Sequence, residues 1–245
     1  MSPSPYTSPK HTWKPKKMSL TQQYQKVKDS VVQVLALNGN DIISSGSGSI
    51  IGKGCHVLTC AHCVINGAQM AIADPKNPGI ALHGKAVFID QSNDIALLEF
   101  PHFIGSPVIF ANSKTCSIGN SVFIVGFPMN IMEPVLFSAH ITSLTLNQLR
   151  VDASVNHGNS GGPLFNSSAE QIGVINAKHG SLSAYLSQLM NARPGASISI
   201  SGIDPVQTIQ ILISEMQKNL NLGIGYAVPT SAIKPLHGIL SAAIP

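Results

Sequence analysis

The residues best suited to chemistry are a serine set among glycines and two partners elsewhere in the chain. Ser160 lies in Gly-Asn-Ser-Gly-Gly-Pro, residues 158–163. A hydroxyl that attacks a carbonyl needs a tight, exposed turn and nearby backbone N–H groups for the oxyanion that forms. Glycines permit both. Taken alone, the hexapeptide is also compatible with an ordinary hairpin turn.

The two partners are a histidine and an aspartate. His62 ends the apolar run Leu-Thr-Cys-Ala-His, and a histidine there could be purely structural. Asp94 opens the apolar run Ile-Ala-Leu-Leu, where a carboxylate is costly unless it is paired, and an imidazole N–H would pair it. Together the three residues predict a catalytic triad of His62, Asp94 and Ser160. Asp90 is a rival for the acid.

The cysteines leave several interpretations open. Cys60 and Cys63 form a C-x-x-C that brackets His62, and Cys55 and Cys116 complete the set. Such a pair can indicate zinc or redox chemistry, but the chain has no second C-x-x-C. We expect free buried thiols, with one disulfide or a metal site as alternatives. The prediction is that the protein has no metal and no cofactor.

The order of apolar segments predicts an all-β protein. Short stretches rich in β-branched residues are separated by Gly, Asn, Pro or Ser from residue 31 to about residue 200, which is typical of a sandwich or barrel. One of these predicted strands is Pro-Val-Ile-Phe at 107–110. A change in composition near residues 105–117 predicts the boundary between two halves.

Two segments depart from this pattern. Thr-Gln-Gln-Tyr-Gln-Lys-Val-Lys-Asp-Ser, residues 21–30, predicts a short N-terminal helix. A second helix is expected near 205–221, because Asp204 and Pro205 are good start residues and apolar residues follow at helical spacing. Those apolar residues are Ile209, Leu212, Ile213, Met216 and Leu220. The second helix either covers a core or gates a substrate pocket.

The charge distribution argues against nucleic acid as a partner. Charged residues are 11% of the chain, and six of its 15 Lys and Arg residues precede the first acidic residue, Asp29. The remaining chain is therefore near neutral. Residues 1–20 are expected to be a disordered basic leader. No apolar run is long enough for a membrane span, and no secretory signal is recognisable. We therefore expect a cytoplasmic location, with signal-less secretion as an effector left open.

At these motifs the chain resembles the trypsin-like peptidases, most closely the HtrA (DegP) branch. The matching stretches are GSGSII (46–51), LTCAHCV (58–64), NDIALLEF (93–100), VDASVNHGNSGGPLFN (151–166) and GIGYAVP (223–229). The resemblance implies two perpendicular six-stranded antiparallel β-barrels, at 21–112 and 113–245, the second with an insert at 178–222. Asp94, and not Asp90, occupies the family's D-I-A-L-L position.

The resemblance also implies roles for individual residues. His62 and Asp94 would come from the first barrel and Ser160 from the second, with the N–H groups of Gly158 and Ser160 as the oxyanion hole. A substrate pocket that favours polar or acidic side chains would be lined by His157, Asn176, Ala177, Lys178 and Tyr226.

Three departures limit this resemblance. Asn159 stands where digestive members carry Asp, so activation by a new amino terminus is not expected. Cys63 matches one end of a family disulfide, whose other end falls in the GSGS stretch and is not a cysteine. The residues after Ser231 are too few for the PDZ domain usual in HtrA enzymes. Homo-oligomers, common in that branch, are possible here.

The function predicted is a serine endopeptidase that cleaves protein or peptide substrates. The alternative is a proteolytically latent domain that binds peptides or partners through the same cleft. Esterase or other acyl-transfer chemistry on the same triad is a third possibility.

Overall fold

Two closed six-stranded antiparallel β-barrels form the fold, as predicted. The computed structural model describes residues 18–74, 77–128, 131–176, 204–219 and 223–245. The leader up to residue 17, residue 177 and most of the predicted insert (178–203 and 220–222) lie outside the described residues.

The first barrel has the strand order β1-β2-β3-β6-β5-β4. Its interior is filled by buried aliphatic side chains, among them Val34, Ile72 and Leu98, because alternate residues of each strand point inward. The strands are β1 (Val31–Asn38), β2 (Asp41–Ile51), β3 (His56–Thr59), β4 (Gln69–Asp74), β5 (Asn77–Asp90) and β6 (Ile95–Glu99).

The second barrel has the strand order β10-β11-β12-β9-β8-β7 and its own core, which includes Ile124, Leu164 and Ile172. The strands are β7 (Ser121–Gly126), β8 (Val135–Leu144), β9 (Leu149–Val151), β10 (Pro163–Asn166), β11 (Gln171–Asn176) and β12 (Gly225–Pro229). The predicted division at 112/113 falls between β6 and β7.

The prediction of a strand at 107–110 is wrong. Val108 donates its N–H to Ile50 O in the first barrel at 2.9 Å, whereas Gln171 N–H of the second barrel donates to Ile109 O at 2.7 Å. Phe110 forms an isolated bridge with Gln171. The segment divides its hydrogen bonds between both barrels, so it joins them and does not extend either sheet.

The predicted N-terminal helix is present as α1 (Leu20–Val27), which begins with a capping box between Ser19 and Gln22. It packs on the second barrel, where buried Gln23 donates to Ser167 O at 2.9 Å.

The predicted second helix is present as α2 (Pro205–Asn219). Asp204 Oδ1 accepts the N–H of Val206 at 2.8 Å, which caps its start. Its expected apolar face is only partly covered, because Ile213 is buried while Ile209 and Leu212 are 46% and 59% exposed. Whether α2 covers a core or gates a substrate pocket stays a prediction. Helical spacing shows which residues share a face, but it does not supply a surface to cover that face. Among the described helices, none is long and apolar enough to cross a membrane.

The sequence reasoning missed two C-terminal helices, α3 (Thr230–Ile233) and α4 (Gly238–Ala243). Ile233, Leu240 and Ile244 are buried in one cluster with Ile51 and Leu97 of the first barrel. This cluster also contains Val174 and Val228 of the second barrel, so the C-terminal segment packs against side chains of both barrels.

Thr230 fastens this C-terminal segment to the linker between the barrels. It is fully buried, and its hydroxyl accepts the Ser113 N–H at 3.0 Å and donates to Ala111 O at 2.8 Å. Thr230→Val keeps the shape but leaves one buried donor and one acceptor without this partner. We expect the free energy of unfolding, measured by urea denaturation, to fall by about 1–3 kcal/mol.

The control is Thr145→Val, the same change at an exposed threonine whose hydroxyl donates to Gln148 O. It should change stability by less than about 0.5 kcal/mol. Equal stability of Thr230→Val and the parent would contradict this account of the linker.

Candidate active site

Strand pairing brings His62 and Asp94 together. His62 lies in the 3₁₀ turn Ala61–Cys63 directly after β3, and Asp94 directly precedes β6. β3 and β6 are antiparallel neighbours in which Thr59 pairs with Ala96. The end of one strand and the start of the other are therefore adjacent, although the two residues are 32 positions apart.

The Asp94 carboxylate holds His62 at two points. Oδ1 accepts the backbone N–H of His62 at 3.0 Å, and Oδ2 lies 2.7 Å from Nδ1 of the ring. Asp94 is 3% exposed, and its backbone takes a left-handed conformation with φ 56°, which aspartate tolerates better than most residues. Because an ionised carboxylate accepts hydrogen bonds and cannot donate them, Nδ1 carries a proton, and in the neutral ring Nε2 is the nitrogen with the lone pair.

Burial and neighbouring side chains have opposite effects on the pKa of His62. Burial of the ring lowers the pKa, but the hydrogen bond to Asp94 and the neighbouring Cys63 side chain together raise it from 6.5 to about 9. Burial is incomplete, since 34% of the side chain remains exposed. The imidazolium form is thus strongly favoured by the site.

Asp90, the rival acid, serves a different purpose. Its carboxylate accepts the N–H groups of Ser92 at 2.9 Å and Asn93 at 3.1 Å, which closes the turn between β5 and β6. Hydrogen bonds from the Ser92 and Asn93 side chains lower the pKa of Asp90 to about 2. The structure therefore pairs Asp94 with His62 and leaves Asp90 to the turn.

Ser160 lies on a turn that is fastened to the first barrel. Its carbonyl accepts the Ser47 N–H at 2.8 Å and lies 3.7 Å from Cys63 Sγ, the neighbour of His62 in sequence. A Cβ added at Gly46 would lie 2.7 Å from Cys63 Sγ and 3.2 Å from Ser160 O. Glycine at position 46 is therefore what lets the histidine turn and the serine turn come together.

Gly161 needs both the freedom and the small size of glycine. Its φ is 83°, and an added Cβ would collide with Thr59 Oγ1 and Ser47 O. Its N–H donates to Ile175 O on β11 at 2.8 Å. The turn that carries Ser160 is thus pressed against both barrels.

Ser47 is a residue that the sequence reasoning missed. It is fully buried on β2, and its hydroxyl donates to Gly158 O at 2.5 Å and accepts the Phe127 N–H at 2.9 Å. It orients the backbone beside the predicted oxyanion hole, where Gly158 has φ 91°. The GSGS stretch was noted as a motif, but nothing in it indicated which hydroxyl would cross between the barrels.

The predicted pocket residues are only partly brought together. His157 is exposed on the turn before Gly158, whereas Ala177 and Lys178 lie outside the described residues. Asn176 on β11 pairs with Tyr226 on β12, which in turn pairs with Arg150 on β9. The Arg150 guanidinium lies 5.6 Å from the centre of the Tyr226 ring. Arg150 adds a positive charge to this wall that the sequence reasoning did not include.

All four cysteines are free thiols, and the pair around His62 is buried. Cys60 Sγ donates to Ile175 O at 3.2 Å, so both thiols of the C-x-x-C contact carbonyls of the second barrel. Cys60 also lies close to His62 and Asp94, and these three residues could together hold a metal ion.

A two-barrel fold with a His–Asp pair on one barrel and a serine between glycines on the other defines the class of trypsin-like serine peptidases. A family model described as "Trypsin-like peptidase domain" matches residues 46–174. The chain belongs to this family.

Similar proteins are of the HtrA type, as predicted. The chain is 33% identical over 149 residues to "Serine protease HTRA2, mitochondrial" of Drosophila persimilis, covering 55% of this chain and 34% of that protein. It is 33% identical over 150 residues to "Serine endoprotease DegS" of Salmonella typhimurium, covering 57% of this chain and 41% of that protein.

A serine endoprotease from Yersinia pestis has a similar crystal structure. Its TM-score is 0.62 at 26% sequence identity, over 89% of this chain and 65% of that one. The chain therefore spans about a third to two fifths of the length of the two relatives, and about two thirds of this structure.

The His62–Asp94 hydrogen bond can be tested by following the His62 ring resonances by NMR as the pH changes. We expect a pKa of about 9. In Asp94→Asn the pKa should fall, because a neutral amide replaces the carboxylate while burial of the ring persists. Because the folded pKa lies above 6.5, the pair stabilises the fold most below about pH 6.5, and this contribution is lost as the pH rises through about 9.

Asp90→Asn is the matched control and should leave the His62 pKa near its parent value. A His62 pKa that is the same in Asp94→Asn and the parent would show that this carboxylate does not govern the ring.

Proposed function

We propose that the protein is a serine endopeptidase that hydrolyses peptide bonds in protein substrates through Ser160, His62 and Asp94. The observation that carries the proposal is the two-point hold of Asp94 on His62, at 3.0 and 2.7 Å. These two hydrogen bonds fix the orientation and the tautomer of the His62 ring. A general base needs both to be fixed, whereas a purely structural histidine does not.

The position of Ser160 supports the same function. Its turn contacts Cys63, and Cys63 follows His62 in the same 3₁₀ turn. The nucleophile and the base are therefore carried by two backbone segments in direct contact, one from each barrel. Such an arrangement suits a cleft into which a polypeptide can enter between the barrels.

The reaction follows from these roles. His62 Nε2 takes the Ser160 hydroxyl proton as the oxygen attacks the scissile carbonyl, and Asp94 stabilises the imidazolium that forms. The N–H groups of Gly158 and Ser160 stabilise the oxyanion. The imidazolium then protonates the leaving amine, which leaves an acyl group on Ser160. Water, deprotonated by His62, hydrolyses this ester and restores the serine.

The substrates proposed are proteins or peptides, and the pocket wall favours particular side chains among them. Arg150 on Tyr226 places a cation near Asn176, which supports the predicted preference for polar or acidic side chains. A homo-oligomer and a cytoplasmic location stay predictions.

Cleavage of unfolded casein by the parent and by Ser160→Ala tests the proposal. We expect the parent to cleave and Ser160→Ala to lose activity by about 10⁶ in kcat, because the nucleophile is gone. The parent kcat/KM should rise with pH towards a plateau above about pH 9, because His62 acts as a base only after its imidazolium form is deprotonated.

Ser138→Ala, at an exposed serine of β8, is the control and should retain parent activity. Cleavage by Ser160→Ala at the parent rate would refute the proposed nucleophile. A folded parent that cleaves nothing between pH 6 and pH 10 would favour the latent, peptide-binding alternative.

A further inference from the structure

Cys60 is a nucleophilic side chain at the site that the peptidase mechanism does not use. It is fully buried and directly precedes the 3₁₀ turn that carries His62. Its Sγ, a ring nitrogen of His62 and a carboxylate oxygen of Asp94 all lie within 4.8 Å of one another. A thiol, an imidazole and a carboxylate thus converge at one place in the first barrel.

This set of donors matches the ligand preferences of zinc. Zn²⁺ binds thiolate sulfur, imidazole nitrogen and carboxylate oxygen, and three protein ligands with one open position are a common arrangement. Tetrahedral zinc would place these ligand atoms about 3.3–3.5 Å apart. The ligand atoms would therefore need to move by only about 1 Å, and the exposed third of the His62 side chain offers a route inwards.

We propose that Cys60, His62 and Asp94 bind Zn²⁺, and that zinc and the catalytic arrangement of His62 exclude each other. If zinc binds Nδ1, the proton shared with Asp94 Oδ2 must leave, and the 2.7 Å contact opens. If zinc binds Nε2, the lone pair that accepts the serine proton is occupied. Either nitrogen gives the same result, because His62 can no longer act as a general base.

Zinc binding releases protons. The Cys60 S–H, which now donates to Ile175 O at 3.2 Å, gives its proton to solvent as the zinc–sulfur bond forms. A protonated His62 ring likewise loses one proton when a nitrogen becomes a ligand. No oxidant or reductant is needed, since zinc keeps its charge throughout.

The binding test uses Ser160→Ala protein, so it does not depend on the proposed peptidase activity. Zn²⁺ is titrated against a chromophoric chelator, and Co²⁺ is used as a spectroscopic substitute. We expect one zinc per chain and a thiolate-to-cobalt charge-transfer band. When Cys60→Ala is added to Ser160→Ala, the band should disappear and zinc binding should weaken about tenfold or more, because one of the three zinc ligands is lost.

Cys55→Ala in the same background is the matched control. Cys55 Sγ lies 3.4 Å from His56 Nδ1, so it forms a second thiol–imidazole pair outside the proposed site. We expect this variant to bind zinc like its Ser160→Ala parent. If Cys60→Ala does not fold, Asp94→Asn in the Ser160→Ala background tests the site instead. We expect it to weaken zinc binding by the same factor.

Three outcomes would overturn the proposed site. These are no zinc binding by Ser160→Ala, undiminished binding after loss of Cys60 or Asp94, and binding lost with Cys55 instead.

The zinc site itself does not depend on the proposed function, but inhibition of cleavage by zinc rests on that function. In the wild-type chain, saturating zinc should stop casein cleavage, and EDTA should restore it. Cleavage at an unchanged rate with zinc bound would overturn the mutual exclusion. A chain that binds zinc through Cys60 but never cleaves would retain the site and refute the peptidase function.

Discussion

A carboxylate removed from water is costly unless hydrogen-bond donors meet it, and the structure of the site depends on how this constraint is satisfied at Asp94. Asp94 is 3% exposed, and His62 supplies two hydrogen bonds to it, one from its backbone and one from its ring. The pairing of β3 with β6 brings the two residues into reach. Burial of the ring lowers the pKa of His62, but the hydrogen bond from the ring and the neighbouring Cys63 side chain together raise the pKa to about 9. The pairing of β3 with β6 therefore also determines the surroundings of the His62 ring.

The position of Ser160 depends on contacts between the barrels. Ser160 belongs to the second barrel, yet its carbonyl is held by Ser47 N–H of the first. Gly46 and Gly161 stand where a Cβ would press these segments apart. The C-terminal helices bury their apolar residues in a cluster that includes first-barrel side chains. The relative position of His62 and Ser160 thus depends on the linker between the barrels, on the close contacts at Gly46 and Gly161, and on the C-terminal segment.

Strand patterning predicted an all-β protein, and helical patterns predicted α1 and α2. The two barrels came from the resemblance of the motifs to the trypsin-like peptidases, and the His62–Asp94 contact came from that resemblance and from the cost of an unpaired carboxylate. The sequence did not predict the role of Ser47 or the convergence of Cys60 on Asp94, because those contacts join segments that are distant in sequence. The strand expected at 107–110 failed for the same reason, since its apolar residues divide their hydrogen bonds between two barrels. Helices α3 and α4 were missed because they are short and begin without a strong capping signal.

The central claim is that His62, held by Asp94, activates Ser160. The most direct measurement is mass spectrometry of the purified chain after reaction with a fluorophosphonate, which labels a serine only when a base activates it. The account predicts one adduct per chain, located on Ser160 and absent from His62→Ala. An unlabelled parent at pH 9, an adduct on another serine, or equal labelling of His62→Ala would contradict it.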